Sequence, residues 1–132
     1  MRPRIVAPLI RVDQAGDGHF GAPRGDRTHK GIDYLCDPRC FVYSPVEGIV
    51  SKLGYPYSDD LSWRYVEITD DRRNRNRLFY VLPCVRLDQI VSEGEIIGEA
   101  QDISERYPGQ GMTAHVHYEI IGANGEYQNP EP

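Results

Sequence analysis

The chain has 132 residues, of which 39% are hydrophobic and 27% charged, and it carries a net charge of −5 with a pI near 5.3. This length is sufficient for a buried core, and we expect residues 1–132 to form one domain. The acidic balance argues against a nucleic-acid-binding surface, and no apolar stretch approaches the length of a membrane span.

The composition predicts an all-β protein. Thirteen glycines and ten prolines, without a long run of helical period, favour short strands joined by many turns. The lengths of these strands and their short connections favour antiparallel pairing. The predicted strands are Ile32–Cys36, Phe41–Tyr43, Gly48–Leu53, Tyr65–Thr69, Leu78–Leu82, Ile96–Ala100, His115–Ile121 and Glu126–Gln128, with a helical turn at Ser104–Tyr107.

The first predicted strand carries the first cluster of metal-binding residue types. His29 precedes the strand and Asp33 lies within it, four positions further on. Gly31 and the β-branched Ile32 favour an extended chain over a helix here. Since side chains alternate along a strand, positions four apart share a face, and His29 and Asp33 can point the same way.

Three cysteines leave the redox state open. Cys36 and Cys40 flank a turn sequence, so they form either a local disulfide, with Cys84 free, or two of three reduced thiols in and around the core. A zinc site built from Cys36 and Cys40 is disfavoured because no second cysteine pair lies near them.

The middle of the chain contains a basic run and two candidate groove walls. The run Arg72–Arg77 follows two aspartates and lies between predicted strands, so we interpret it as a solvated hairpin tip rather than an anionic-ligand patch. Segments 55–63, rich in aromatic rings, and 107–113, rich in glycine, are candidate walls of a groove, with ordinary packing as the alternative.

The strand His115–Ile121 carries the second cluster. His115, His117 and Glu119 alternate and so share one face of the strand. Glu119 on that face either orients a ligand histidine or is a surface carboxylate.

A catalytic zinc ion usually has three imidazole or carboxylate ligands and a fourth position for water. The two clusters supply such a trio as His29, Asp33 and His117, with His115 beside the metal. A lone His-x-His pair would be weak evidence, whereas two clusters in strand register are stronger.

Several motifs follow one another in an order that resembles a known family. They are Phe20–Gly25, His29-x-x-x-Asp33, Tyr43–Val50, Val91–Gly98, His115-x-His117-x-Glu119 and Asn129-Pro130. This order is similar to that of the lysostaphin-type zinc endopeptidases of bacterial cell walls, from about Gly18 to Pro130.

The resemblance implies a twisted antiparallel sheet with long loops that carries zinc on its open face. It makes His29, Asp33 and His117 the zinc ligands and His115 a catalytic residue that assists a zinc-bound water. The implied partner is a peptidoglycan peptide, cleaved in the stem or the cross-bridge.

The chain departs from this family at one position. Members carry a second catalytic histidine in a tyrosine–any–histidine–leucine strand, and the matching position here is Leu82. Leucine donates neither a hydrogen bond nor a proton. His19 is the remaining histidine and so the one candidate to replace it, with a solvated loop position as the alternative.

A second resemblance concerns Gly31–Cys36, Phe79–Pro83 and Tyr107–Gly109, which are similar to segments of the vertebrate leukocyte cell-derived chemotaxins. Those proteins lack the same histidine and are regarded as signalling proteins without peptidase activity.

The two resemblances predict two alternative functions. One is a zinc-dependent peptidoglycan endopeptidase, which we favour, and the other is a catalytically inactive zinc module that binds wall peptide or a protein partner. An enzyme leaves the fourth zinc position open, whereas a structural site closes it with a protein ligand.

Segment Met1–Ile10 has no apolar run long enough for a secretory signal. We therefore expect the protein to be made in the cytoplasm and to act at the cell wall or periplasm, where a phage or a secretion machine could deliver it. We also expect a monomer.

Overall fold

A seven-stranded antiparallel sheet is the centre of the computed structural model, which describes Ile5 and residues 9–131. No α-helix occurs in these ranges, and no helix in them is long and apolar enough to cross a bilayer. One 3-10 helix, Ile103–Arg106, precedes the last long strand. The strands are β1 (Val12–Asp13), β2 (Gly16–Asp17), β3 (Pro23–Arg24), β4 (Arg27–Thr28), β5 (Ile32–Leu35), β6 (Phe41–Tyr43), β7 (Gly48–Gly54), β8 (Tyr65–Thr69), β9 (Arg75–Phe79), β10 (Val81–Pro83), β11 (Ile90–Val91), β12 (Ile96–Ala100), β13 (His115–Ile121) and β14 (Tyr127–Gln128).

The large sheet has the strand order β11-β7-β8-β9-β13-β14, and β5 pairs with the first half of β13. A three-stranded sheet, β10-β12-β6, lies beside it, and β1-β2 and β3-β4 form two small hairpins. All of these pairs are antiparallel, which confirms the all-β, antiparallel prediction.

The core contains inward-facing residues of both sheets. Val81 and Ile97 from the small sheet join Val66, Leu78 and Val116 from the large one in a single cluster, and all five are fully buried. Burial of these side chains removes their apolar surface from water, which is the main force that holds the sheets together. The opposite face of β5, β9 and β13 carries several polar side chains, among them Asp33, Arg77 and His117.

Most predicted strand bounds are confirmed, and four match completely: Phe41–Tyr43, Tyr65–Thr69, Ile96–Ala100 and His115–Ile121. The continuous strand Leu78–Leu82 is wrong. Tyr80 has a φ of 70°, and the amides of Tyr80 and Val81 both donate to the Arg64 carbonyl, so the chain leaves the large sheet at Phe79 and enters the small sheet at Val81.

Three further predictions can be compared with the structure. The interpretation of the basic run as a hairpin tip holds for Arg72 and Arg73, which lie in the β8–β9 turn. It does not hold for Arg75–Arg77, which belongs to β9. Cys36, Cys40 and Cys84 are free thiols, so the disulfide alternative does not hold. Most of Met1–Ile10 lies outside the described residues.

Candidate metal centre

Pairing of β5 with β13 places the predicted ligands together. Asp33 lies directly opposite His117 in this pair, although 84 residues separate them in the chain. Gly31 lets the preceding loop lie against β13, because a Cβ at this position would be 2.3 Å from the Tyr118 carbonyl oxygen and 2.8 Å from Cε1 of His117. The loop therefore brings His29 over the same pair.

Three ligand atoms form a compact triangle. The distance from His29 Nε2 to His117 Nδ1 is 3.1 Å, that from His117 Nδ1 to Asp33 Oδ1 is 2.9 Å, and that from His29 Nε2 to Asp33 Oδ1 is 3.3 Å. Atoms bound to a tetrahedral zinc ion at about 2.0–2.1 Å lie about 3.4 Å apart. The triangle is thus close to the spacing that zinc requires.

The outer nitrogens of the two rings fix the protonation of the inner ones. His29 Nδ1 donates to the His19 carbonyl oxygen at 3.1 Å, and His117 Nε2 donates to Glu119 Oε1 at 2.8 Å. In the neutral rings, His29 Nε2 and His117 Nδ1 are therefore the unprotonated nitrogens, and both face the Asp33 carboxylate. Three such acceptors at this distance repel one another unless a proton or a metal ion lies between them, and their spacing and donor types fit a zinc ion.

The pKa of His117 reflects this demand for positive charge. Burial by itself lowers the pKa of His117, but its hydrogen bonds with Asp33 and Glu119 outweigh burial and raise it to about 9. Glu119 has the position that the predicted orienting role requires, since its Oε1 accepts from His117 Nε2. Its other oxygen lies 3.7 Å from Arg77 Nη1.

Arg11 holds the Asp33 carboxylate in place. Its Nε and Nη2 donate to Asp33 Oδ2 at 3.3 and 2.9 Å, which leaves Oδ1 for the triangle, and its Nη1 donates to Asp13. Burial raises the pKa of Asp33, but hydrogen bonds with His117 and His29 hold it well below its usual range. Sequence reasoning missed Arg11, because it lies in a segment for which no strand was predicted.

His115 lies next to the triangle without belonging to it. Its Nδ1 donates to the Thr113 carbonyl at 2.8 Å, so its unprotonated Nε2 faces the centre, 3.7 Å from Asp33 Oδ2. Burial lowers the pKa of His115 even though Asp33 acts in the opposite direction. A neutral imidazole with a free lone pair at the centre is suited to accept a proton.

The expectation that position 82 lies at the site is wrong. Leu82 is 50% exposed and lies opposite Glu99 in the three-stranded sheet. The side chain next to His115 is that of Tyr80, whose ring centroid lies 5.6 Å from that of His115 in an edge-on arrangement. His19 does not fill the place either, since its half-exposed ring pairs with Asp17 at 2.5 Å.

Three tyrosine hydroxyls extend from this position towards the surface. The Tyr80 hydroxyl lies 3.4 Å from that of Tyr57, which lies 2.8 Å from that of Tyr107. Burial raises the pKa of Tyr80 well above its usual value, and burial together with the Tyr107 hydrogen bond raises that of Tyr57 to about 12. Tyr80 is therefore a protonated hydroxyl donor at neutral pH.

A cleft of about 480 Å³ opens over the triangle. Segment 55–63 contributes Pro56 and Tyr57 to its lining, and segment 107–113 contributes Tyr107 and Met112, which confirms the predicted groove walls. Among the described residues, the candidate ligand group contains three side chains, and all three line the cleft. A fourth, non-protein ligand could therefore reach the centre from the cleft.

The chain is similar to several known proteins. No protein-family model matches it. Mouse leukocyte cell-derived chemotaxin-2 is 30% identical over 112 residues, which cover 81% of this chain and 69% of that protein. A mutant catalytic domain of the prophage-encoded M23 protein EnpA from Enterococcus faecalis is 22% identical, with a TM-score of 0.71 over 99% of this chain and 95% of that one. The catalytic domain of the antimicrobial peptidase lysostaphin from Staphylococcus simulans is 20% identical, with a TM-score of 0.67 over 87% of this chain and 86% of that one.

Proposed function

From the premise that this chain belongs to the lysostaphin-type peptidase family together with leukocyte cell-derived chemotaxin-2, we propose that it is a zinc-dependent endopeptidase that hydrolyses peptide bonds of bacterial peptidoglycan at the cell wall. One observation carries this proposal. Three inward-facing acceptor atoms lie next to a buried histidine whose free nitrogen faces the same cleft. A purely structural zinc site has no use for that histidine.

His29, Asp33 and His117 would hold the zinc ion. Bound there, zinc would act as a Lewis acid that polarises the scissile carbonyl and lowers the pKa of a water molecule to about 7. The His19 carbonyl and Glu119 keep the two histidine rings in the tautomers that this role needs.

His115 handles the proton. Its Nε2 takes a proton from the attacking water and then delivers it to the nitrogen of the leaving amine, so the peptide bond breaks without the release of an unstable amide anion. The Thr113 carbonyl holds the ring in the required tautomer through Nδ1.

Tyr80 donates a hydrogen bond to the oxyanion that forms at the scissile carbonyl. Its hydroxyl stays protonated because burial raises its pKa. A neutral hydroxyl stabilises negative charge less well than a protonated imidazole. We therefore expect catalysis that is slower than in relatives that keep the second catalytic histidine.

A second function has its own support. The chain is 30% identical to a chemotaxin, and a tyrosine, Tyr80, lies beside His115 where the second catalytic histidine was expected. Both observations favour a catalytically inactive zinc module that binds wall peptide or a protein partner. Both functions use the same three ligands, and they differ in whether peptide bonds are cut.

Incubation of the zinc-loaded protein with purified peptidoglycans of differing stem and bridge chemistry tests the proposal, with mass spectrometry of the released peptides. We expect slow release of new amino termini that stops on chelation and resumes on addition of zinc. If no wall yields new termini while the protein still binds zinc and co-sediments with the wall, the inactive binding module is the better account.

A further inference from the structure

One wall of the cleft is basic. The β3–β4 hairpin and the residues that follow it contribute Arg24, Arg27 and Lys30 to the lining. The whole chain has a net charge of −5, so this wall is opposite in sign to the protein that carries it. Cationic walls of a cleft raise the local concentration of anionic ligands.

Two of the cations of this wall, Arg24 and Lys30, already have partners within the protein. Arg24 donates to the Asp17 carbonyl oxygen at 2.7 Å and lies 3.8 Å from Asp33 Oδ2, and Lys30 lies 4.8 Å above the ring of Tyr127. The acidic residues that line the cleft, Asp33 and Glu119, are both held by histidines.

Arg27 is different. It is exposed at the rim of the cleft, and within the described part of the chain its side chain has no hydrogen bond, ion pair or ring contact. A guanidinium presents a planar set of donors that matches a carboxylate. Arg27 is thus free to bind an anionic group of a ligand in the cleft.

The opposite wall suits a peptide. It includes Pro56, Tyr57, Tyr107 and Met112, which contribute aromatic and apolar side chains to the lining. A ligand that lies between these walls needs an apolar or backbone surface on one side and an anionic group on the other.

We infer that the substrate of this cleft is a peptide with a free carboxylate close to the scissile bond, and that Arg27 binds this carboxylate. The inference rests on the proposed function and narrows it. Stem peptides carry free carboxylates on their glutamyl residue and at their carboxyl terminus, whereas a bridge of glycine residues carries none. The cleft therefore selects the stem peptide over a neutral bridge.

Two stem-like peptides that differ only in a carboxylate or a carboxamide next to the scissile bond provide the test. Binding is measured by calorimetry in the His115→Ala background, and cleavage by kcat/KM in the wild type. We expect the carboxylate peptide to be favoured roughly fivefold, a preference that falls with salt because the pair is exposed. Arg27→Gln should abolish the preference and Arg27→Glu should reverse it, while Arg86→Gln, at an exposed arginine outside the cleft lining, should leave it intact.

The outcomes separate the inference from the proposed function. Equal cleavage of both peptides, with no effect of Arg27→Gln, overturns the inference and leaves the hydrolase intact. Binding that prefers the carboxylate and depends on Arg27, without cleavage of either peptide, supports the inference and overturns the hydrolase. Equal binding of both peptides together with a preference for pentaglycine also overturns the inference.

Discussion

At the scale of single residues, the candidate centre depends on atoms that do not face it. The outer nitrogen of each ligand histidine has a fixed acceptor, and the outer oxygen of Asp33 has a fixed donor in Arg11. These three contacts turn the inner atoms towards one point before any metal binds. A centre arranged in advance binds its metal more tightly, since less freedom is lost on binding.

Glu119→Gln should weaken zinc binding about tenfold, because the uncharged amide leaves His117 Nε2 with a poorer acceptor and its ring less basic. Competition with a chromophoric chelator measures the zinc Kd. Glu126→Gln, an exposed carboxylate in the turn before β14, is the matched control and should not change the Kd. An unchanged Kd in Glu119→Gln would show that the Glu119 hydrogen bond does not tune the centre.

Substitution of the two histidines of β13 should have different effects, because His117 is a proposed zinc ligand and His115 a proposed proton carrier. His117→Ala should lose stoichiometric zinc, whereas His115→Ala should retain about one equivalent and lose hydrolysis by roughly a hundredfold to ten-thousandfold. Metal analysis of both variants, next to an assay of new amino termini, gives the answer. The assignment is reversed if His115→Ala loses zinc and His117→Ala keeps it.

At the scale of elements, the break between β9 and β10 decides which side chain faces the cleft. Phe79 and Tyr80 both line the cleft, which strict alternation along a strand does not allow. The positive φ of Tyr80 permits it, and the next residue, Val81, returns to the core. One backbone irregularity thus places the Tyr80 ring beside His115 at the candidate centre and turns Leu82 outwards.

Tyr80→His should raise turnover, because a protonated imidazole stabilises an oxyanion better than a neutral hydroxyl, and one such donor is commonly worth about a hundredfold in rate. Leu82→His is the matched control, with the same new side chain two residues away on the exposed face, and should change nothing. Steady-state kcat on peptidoglycan measures both variants. A gain in Leu82→His with none in Tyr80→His would show that position 82, which the family resemblance indicated, is the place of the second catalytic histidine.

Gly31 is the second element-scale constraint. Gly31→Ala forces a Cβ against the Tyr118 carbonyl oxygen and the His117 ring, so the loop that carries His29 must move away from β13. We expect a loss of about 1–3 kcal/mol in the free energy of unfolding together with weaker zinc binding. Denaturant titration and the zinc Kd are the two measurements.

Gly109→Ala is the control for Gly31→Ala. Gly109 has a φ of 76°, and a Cβ there would have no neighbour within 4 Å, so the substitution costs about 1 kcal/mol from backbone strain alone. Its zinc Kd should be unchanged. Equal losses of zinc affinity in the two variants would show that close approach at Gly31 does not position the centre.

At the scale of the whole molecule, the sequence was informative where the determining pattern is local. The bounds of Tyr65–Thr69 and His115–Ile121 follow from β-branched and aromatic residues in alternation, and each ligand motif spans five residues or fewer. Arg11 and the Tyr57 hydroxyl were not predicted, because contacts across 22 and 23 residues leave no periodic trace in the sequence. The φ of Tyr80 was not predicted either, because positive φ is usual for glycine or asparagine and uncommon for tyrosine.

Zinc should stabilise the whole fold. His29 precedes β5, Asp33 lies within β5, and His117 lies 84 residues after Asp33 on β13, so the ion would join two distant parts of the chain. Free zinc at about 1,000 times its Kd adds roughly 4 kcal/mol by mass action. For a chain of this size that corresponds to a rise in Tm of roughly 10–20 °C, which calorimetry with zinc or with chelator measures directly.

His117→Ala separates this linkage from a general effect of the chelator. Removal of one ligand should leave a Tm that responds neither to zinc nor to chelator, since the remaining pair no longer makes a three-ligand site. Tm values that are equal with and without zinc in the wild type, at a measured content of one zinc per chain, would mean that the ion binds folded and unfolded chains equally well. The β5–β13 pair would then be held by its backbone hydrogen bonds and its buried face alone, and the metal would serve chemistry without serving the fold.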